Sequence, residues 1–398
     1  MSSTVTPNVV ITPATQAAPA AQAKAPTLLQ LPGIGVDLGC DPELFLVDAQ
    51  GRIVGSERVL PPGYLDSNTT VVTTDGVQVE LHPGAGSCRE GLSARIYESL
   101  HELQNLVTAH NAQKPAAEAV SLNFNQVVRV RLSELRKLSQ KSQHLGCGPS
   151  LSAYGTPPVE IDGMVYRKRS AAGHIHLGTQ AFKQGYIDPV SYVRLADIIV
   201  ANTCVLIEPD HKAARERRKH YGRAGEYRLP KHGLEYRTLS NFWLKAYPLM
   251  SFVMALSRQS LAVAHGPRAK QLKHTFTPGS YLLTAMEELF DAVPEALVQK
   301  AINKSDPEIA WRIFNESVRP ILFNRISGYE GLNATNVADF VYFATAKPLD
   351  QWFSGTPMQS WATRGYGWEG FLRHTVNPLR VRDEAKVVKL PPRLPRWT

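Results

Sequence analysis

Four short stretches of this chain set polar side chains two residues apart among apolar neighbours. They are Asp41/Glu43 in VDLGCDPELFLVD, Gln78/Glu80 in DGVQVELHP, His174/His176 in AAGHIHLG and Glu235/Arg237 in HGLEYR. A spacing of two is the period of a strand, whose successive side chains point to opposite faces. Each stretch therefore reads as a strand with one face for a core and the other for chemistry. Side by side in a curved antiparallel sheet, the four would line one concave site. Carboxylates on a shared face repel unless a cation joins them. Several of them with a histidine suit hard divalent ions such as Mg²⁺ or Mn²⁺. For an isolated pair, solvent-facing acids or a structural histidine is the competing reading.

The second constraint is the basic stretch 217–237, RRKHYGRAGEYRLPKHGLEYR. Five arginines (217, 218, 223, 228 and 237) and two lysines (219 and 231) are opposed only by Glu226 and Glu235. Such density fits a polyanion carrying several phosphates, or else a solvated basic loop. The chain has no Walker A sequence and no GxGxxG, so a nucleotide would be held on a sheet rather than at a phosphate-binding loop. The net charge of +9 leaves nucleotide phosphates, nucleic acid and acidic surfaces open as partners. Aromatic interleaving in the stretch is limited to Tyr221, Tyr227 and Tyr236, which speaks against single-stranded nucleic acid.

Residues 1–30 are rich in Ala, Pro, Thr and Gln and read as a disordered tail. With 398 residues and 43% apolar content, the rest can build a sizeable core. Asp75-Gly76 predicts a hairpin turn. Ser87-Cys88-Arg89-Glu90 resembles a capping box that opens a helix to about His110, with Leu92, Ile96, Leu103 and Val107 on its buried stripe. Residues 52–60 and 121–130 read as further strands, and 159–169 as a second hairpin. Residues 145–158 read as a Gly/Pro-rich flap. Asp188-Pro189 predicts a helix start. From Lys245 onward the pattern is mainly helical, so the C-terminal third reads as scaffold or partner surface. Cys40, Cys88, Cys147 and Cys204 have no zinc spacing and read as free thiols of a cytoplasmic protein. No apolar run reads as a membrane span, and the polar N-terminus does not read as a signal peptide.

The segments GCDPELFLVD, GVQVELHP, AAGHIHLG and GEYRLPKHGLEYR, in this order, resemble the motifs of the carboxylate–amine ligases related to glutamine synthetase and glutamate–cysteine ligase. The nearest resemblance is to the type-2 carboxylate–amine ligases (amidoligases) of tailed phages, over about residues 35–245. It implies an α+β fold whose catalytic part is a curved antiparallel sheet of the glutamine synthetase type, flanked by helices, in residues 31–265. A mainly helical region, 266–398, would follow. By motif, Asp41, Glu43, Glu80, His174 and Glu235 would be metal ligands, although glutamine synthetases carry Glu where this chain has Asp41. His176, Arg228 and Arg237 would serve the phosphates of ATP, with Arg218 a looser match and Asp75 a weak candidate for a remaining metal-site acid. The implied activity is ATP-dependent joining of a carboxylate to an amine through an acyl phosphate, with Mg²⁺ or Mn²⁺. The implied partners are small-molecule or peptide substrates, with no membrane, and with an oligomer open. The alternatives are an inactive phage structural protein that keeps the fold and a nucleic-acid-associated protein.

Overall fold

The computed structural model describes residues 36–61, 71–143, 150–159, 162, 164–266, 284–325, 331–346, 360–361 and 367–373. The expected tail 1–30 lies outside these residues. The fold is α+β, with antiparallel strands in the first part and helices after them. Beyond Tyr236 the described residues contain no strand.

The segment read as one strand over 36–48 is two, β1 (Asp37–Cys40) and β2 (Glu43–Asp48). Pro42 has no N–H for a ladder and separates them. β1 pairs with β10 (Ile175–Gly178), in the antiparallel order β1–β10–β12–β11–β8, where β12 is Gly233–Tyr236, β11 is Glu226–Arg228 and β8 is Leu151–Ser152. β2 belongs to a second sheet, β3–β2–β5–β4, with β6 also paired to β2. In it β3 is Ile53–Val54, β4 Val72–Asp75, β5 Gln78–Leu81 and β6 Val120–Asn123. The four polar pairs therefore do not share one sheet, and the chain at Asp41-Pro42 carries them across a seam between two.

Other local expectations shift for packing reasons. The strand expected over 52–60 stops at Gly55, where any Cβ would lie 2.4 Å from Leu138 Cδ2, and a 3-10 turn follows at Ser56–Arg58. The strand expected over 121–130 splits into β6 and β7 (Val127–Arg129), which join different sheets. β7 pairs with β9 (Lys168–Ser170), so β9 meets β7 rather than the arm of a local 159–169 hairpin. Within the expected flap, β8 is the strand at the end of the β11 side. The Asp75-Gly76 hairpin forms between β4 and β5. The long helix runs Arg89–Asn111, but its cap is Cys88, whose Sγ accepts from Gly91 N at 3.3 Å.

Helix Pro189–Ile207 packs under the first sheet. Asp188 caps it through Ser191 N at 2.7 Å, and proline occupies the first turn, where its missing N–H is harmless. By length and composition this helix passes for a membrane span, with a mean hydropathy of 1.6, contrary to the sequence reading. It is 83% buried inside the protein, as a core helix is. Ile175, Leu177 and Leu234 face the same hydrophobic core as Val193, Ile199, Leu256, Phe314 and Val341, so the C-terminal helices share the core of the sheet.

In the middle of that helix, Asp197 begins a π-helical turn, Asp197–Ala201, and is fully buried. Tyr236 Oη donates to Asp197 Oδ1 at 2.5 Å. Burial pushes the Asp197 carboxyl up to about 7, against lowering by its hydroxyl donors. An acid raised in the folded state favours folding at low pH. That contribution declines as pH rises from the unfolded value near 4 and is gone above about 7. Asp197→Asn keeps an acceptor for Tyr236 and does not titrate. The stability of wild type relative to this variant is expected to fall between pH 4 and pH 8, by no more than about 4 kcal/mol at roughly 1.4 kcal/mol per unit. Denaturant titrations of both proteins across that range check it, and a constant difference would refute it.

Candidate metal centre

The site is built on β12, β10 and the turn after β1. On β12, Tyr236 points down to Asp197 while Glu235 and Arg237 point up, as strand alternation requires. His176 lies in register with Glu235 on one side and with Gly39 on the other. A Cβ on Gly39 would sit 3.3 Å from the Cβ of His176, so glycine there leaves room for the imidazole.

Asp41 meets both histidines. Its Oδ1 lies 3.0 Å from His174 Nδ1, and its Oδ2 lies 3.1 Å from His176 Nε2. His174 Nδ1 is also 3.3 Å from Glu235 Oε1. Asp41, His176 and Glu235 offer ligand atoms that all lie within 4.8 Å of one another. Yet Asp41 Oδ1, His174 Nδ1 and His176 Nε2 are buried atoms that make no well-directed hydrogen bond. Buried polar atoms that crowd together without bonding are costly unless a shared partner joins them. Two carboxylates with imidazole nitrogen suit Mn²⁺ as well as Mg²⁺, so the residues present fit a divalent ion. His176, expected beside the phosphates, stands within this ligand group.

The charges follow from burial and neighbours. Burial raises the Asp41 carboxyl, but the histidines outweigh it and hold the group well below the usual carboxylate range. Burial pushes His174 down, with Arg237 adding to the effect, so at neutral pH it is a neutral imidazole beside ionised Asp41. Burial also lowers His176, but the Asp41 carboxylate more than reverses this and raises it. His232, exposed at the rim, stacks on His176 with ring centroids 5.0 Å apart, and its Nε2 lies 3.0 Å from His176 Nδ1.

A second acidic group comes from the other sheet. Glu43 and Glu80 are cross-strand partners, and Glu43 is 1% exposed. Gln78 Nε2 donates to Glu43 at 3.0 Å and Ala172 N donates at 2.8 Å. Burial, then Asp75 and Glu80, push the Glu43 carboxyl well up. Burial and Glu80 push Asp75 up to about 6, while Arg237 and Arg228 act to lower it. The field of one group reaches the other, since the Asp41 charge adds a smaller push upward on Asp75.

The basic stretch divides in two. Arg237, 1% exposed, donates to Glu235 and to Tyr221 Oη, the latter at 2.7 Å. Arg228 is in register with Glu235, with a nitrogen 3.9 Å from its carboxylate. These two stand at the site. Arg218, expected beside the phosphates, turns inward instead. It is buried, pairs with Glu208 at 2.9 Å and donates to Ser305 Oγ at 3.0 Å. Arg217 is buried too, and donates to the carbonyls of Thr238 and Leu239 at 2.8 Å each. Gly222 has φ +69°, and a Cβ there would strike the Arg217 guanidinium. Removing one partner of a buried pair strands the other charge. Arg218→Met is therefore expected to cost about 3–5 kcal/mol of stability. Its Mn²⁺ affinity, read by titration calorimetry below the melting transition, is expected to equal that of wild type.

Sequence reasoning missed Tyr221 as a member of the site. Its hydroxyl lies 2.6 Å from His174 Nε2, and its ring lies under the Arg217 and Arg237 guanidiniums. The only signal was its place inside the basic stretch.

No curated protein and no solved structure matches the chain. Residues 158–299 match the family model described as phage phiEco32-like COOH.NH2 ligase-type 2. The matched segment holds His174, His176, Tyr221, Arg228, Glu235 and Arg237, while Asp41, Glu43 and Glu80 lie before it. Over this segment, about a third of the chain, the strands that carry the histidine pair and the Glu-x-Arg pair are similar to those of the type-2 carboxylate–amine ligases.

Proposed function

We propose that this protein is an ATP-dependent carboxylate–amine ligase that works through an acyl phosphate, on a catalytic sheet of the glutamine synthetase type. The observation that carries the reading is the set of buried, undirected ligand atoms of Asp41, His174 and His176 beside Glu235, with Arg228 opposite Glu235 on the neighbouring strand and Arg237 two residues on. Asp41, His176 and Glu235 would hold Mg²⁺ or Mn²⁺, with His174 at their edge and Glu43 and Glu80 from the other sheet. A bound divalent ion supplies neutralisation of phosphate oxygens.

The substrate carboxylate attacks the γ-phosphorus of ATP, forming one O–P bond while the bond to ADP breaks. The amine then attacks the acyl carbon, phosphate leaves, and the amine proton passes to solvent. Arg237 and Arg228 would hold charge on the transferring phosphoryl group, and donors fixed in place need no reorganisation at the moment of reaction. Arg237 is held by Glu235 and Tyr221. The substrates are read as a small-molecule or peptide carboxylate and an amine. The nucleic-acid alternative loses part of its basis, because Arg217 and Arg218 face inward.

The test is ADP release with Mg²⁺ or Mn²⁺ against pools of carboxylic acids, with hydroxylamine as a general amine. The expected result is ADP and hydroxamate in equal amounts with one acid class. ADP release without hydroxamate in any pool would refute the acyl phosphate, and no ADP release with any pool would refute the ligase reading.

A further inference from the structure

Tyr221 stands where two obligations meet. Arg237 can only donate a hydrogen bond, so Tyr221 Oη accepts from it. The same oxygen lies 2.6 Å from His174 Nε2. One proton occupies that short contact, either on the tyrosine or on the imidazole. The choice fixes what His174 offers at its other nitrogen, which lies 3.0 Å from Asp41 Oδ1 and 3.3 Å from Glu235 Oε1. With the proton on Nε2, Nδ1 presents a lone pair to the cluster. With the proton on Nδ1, a hydrogen faces the carboxylates and the tyrosine hydroxyl donates to Nε2.

We propose that Tyr221 is a positioning residue that sets the tautomer of His174. It accepts from Nε2–H when a cation occupies the cluster and donates to Nε2 when none does. The inference rests on the metal reading of Asp41, His176 and Glu235. Metal-binding histidines are generally fixed by an acceptor at the second ring nitrogen. Here the acceptor is a tyrosine oxygen that an arginine has already oriented. The neutral imidazole gains and loses no net proton in the exchange: one N–H is lost at Nδ1 and one is made at Nε2. The tyrosine keeps its own hydrogen, which turns away from the imidazole and becomes a donor to whatever lies beside the site. Cation loading at His174 is thereby tied to the direction of a hydroxyl that also touches Arg237.

Two measurements on the full chain test this. The first is Mn²⁺ titration of wild type and Tyr221→Phe by calorimetry, with melting curves for both. Phenylalanine keeps the ring beneath Arg217 and Arg237 but removes an acceptor from buried Arg237, so a folded protein with a lower melting temperature is expected. The expected result is about 10- to 100-fold weaker Mn²⁺ binding, the usual effect of losing such an acceptor. Equal affinity in the two proteins overturns the inference and leaves the metal reading standing. No Mn²⁺ binding by wild type overturns both. The second needs no variant and serves if Tyr221→Phe does not fold. Nitrogen-15 histidine spectra of wild type should show His174 as Nδ1–H without Mg²⁺ and as Nε2–H with it. An unchanged tautomer on saturation overturns the inference.

Discussion

Arg237→Lys is expected to lose about three powers of ten in kcat or more, the range found for arginines that stabilise a transferring phosphoryl group. Lysine keeps the charge near Glu235 but has a single ammonium in place of a planar fork. In this protein the fork is already divided between Glu235 and Tyr221, and its plane lies by the Tyr221 ring at 5.3 Å. One ammonium cannot hold both partners and still grip a phosphoryl oxygen in a fixed direction. Mg-ATP affinity is expected to change only a few-fold, since the loss falls on the transition state rather than on ground-state binding. Arg237→Met gives a different result. It leaves the Glu235 carboxylate buried without its cation, and the cost should approach about 3–5 kcal/mol of stability. Steady-state kinetics and denaturant titration separate the two. Wild-type kcat in Arg237→Lys would count against any role in phosphoryl transfer.

Asp41→Asn is expected to remove metal binding almost completely, with turnover falling to background. The carboxylate approaches both imidazoles, at 3.0 and 3.1 Å. Asparagine has nearly the same shape, so packing around Pro42 is preserved. It carries no charge, however, and its amide nitrogen would face one of the two rings. The expected loss of Mn²⁺ affinity exceeds about 100-fold, the upper end for residues that merely orient a ligand. The free protein should lose some stability at neutral pH, because a carboxylate held below its ordinary range by His174 and His176 favours the fold there. Calorimetric titration with Mn²⁺ and a melting curve check both halves. Binding within a few-fold of wild type would remove Asp41 from the ligand set.

The parts of the site legible in the sequence are those set by local geometry. Strand alternation alone puts His174 with His176 and Glu235 with Arg237, since no distant contact is needed to define the faces of a strand. The Asp188-Pro189 start of the core helix was legible for the same reason, because a cap bonds its own first turn. What could not be read is where the chain goes between elements. Pro42 signals a strand entry, but nothing local says that the strand before it and the strand after it belong to different sheets. Arginine in a sequence looks alike whether it meets solvent or three backbone carbonyls. The inward turn of Arg217 and Arg218 depends on Glu208, Ser305 and the 238–239 backbone, none of them adjacent in sequence. Tyr221 was hidden similarly, as its role comes from His174 and Arg237, which approach it from two strands.

The pairing of β1 with β10, and of β10 with β12, also governs when the ligand set comes into existence during synthesis. Residues 37–40 leave the ribosome long before residues 175–178 and 233–236, the strands that build the far side of the cluster. Closing a loop of that length costs entropy before any contact offsets it. A nascent chain that ends ahead of β12 holds Asp41 and the histidines but not Glu235. On the proposed metal reading, divalent ions would therefore have no complete site on a chain that short. On that reading, their binding energy would add to the persistence of the finished fold, as a ligand that binds only the native state does, and not to the rate at which the early strands find their partners.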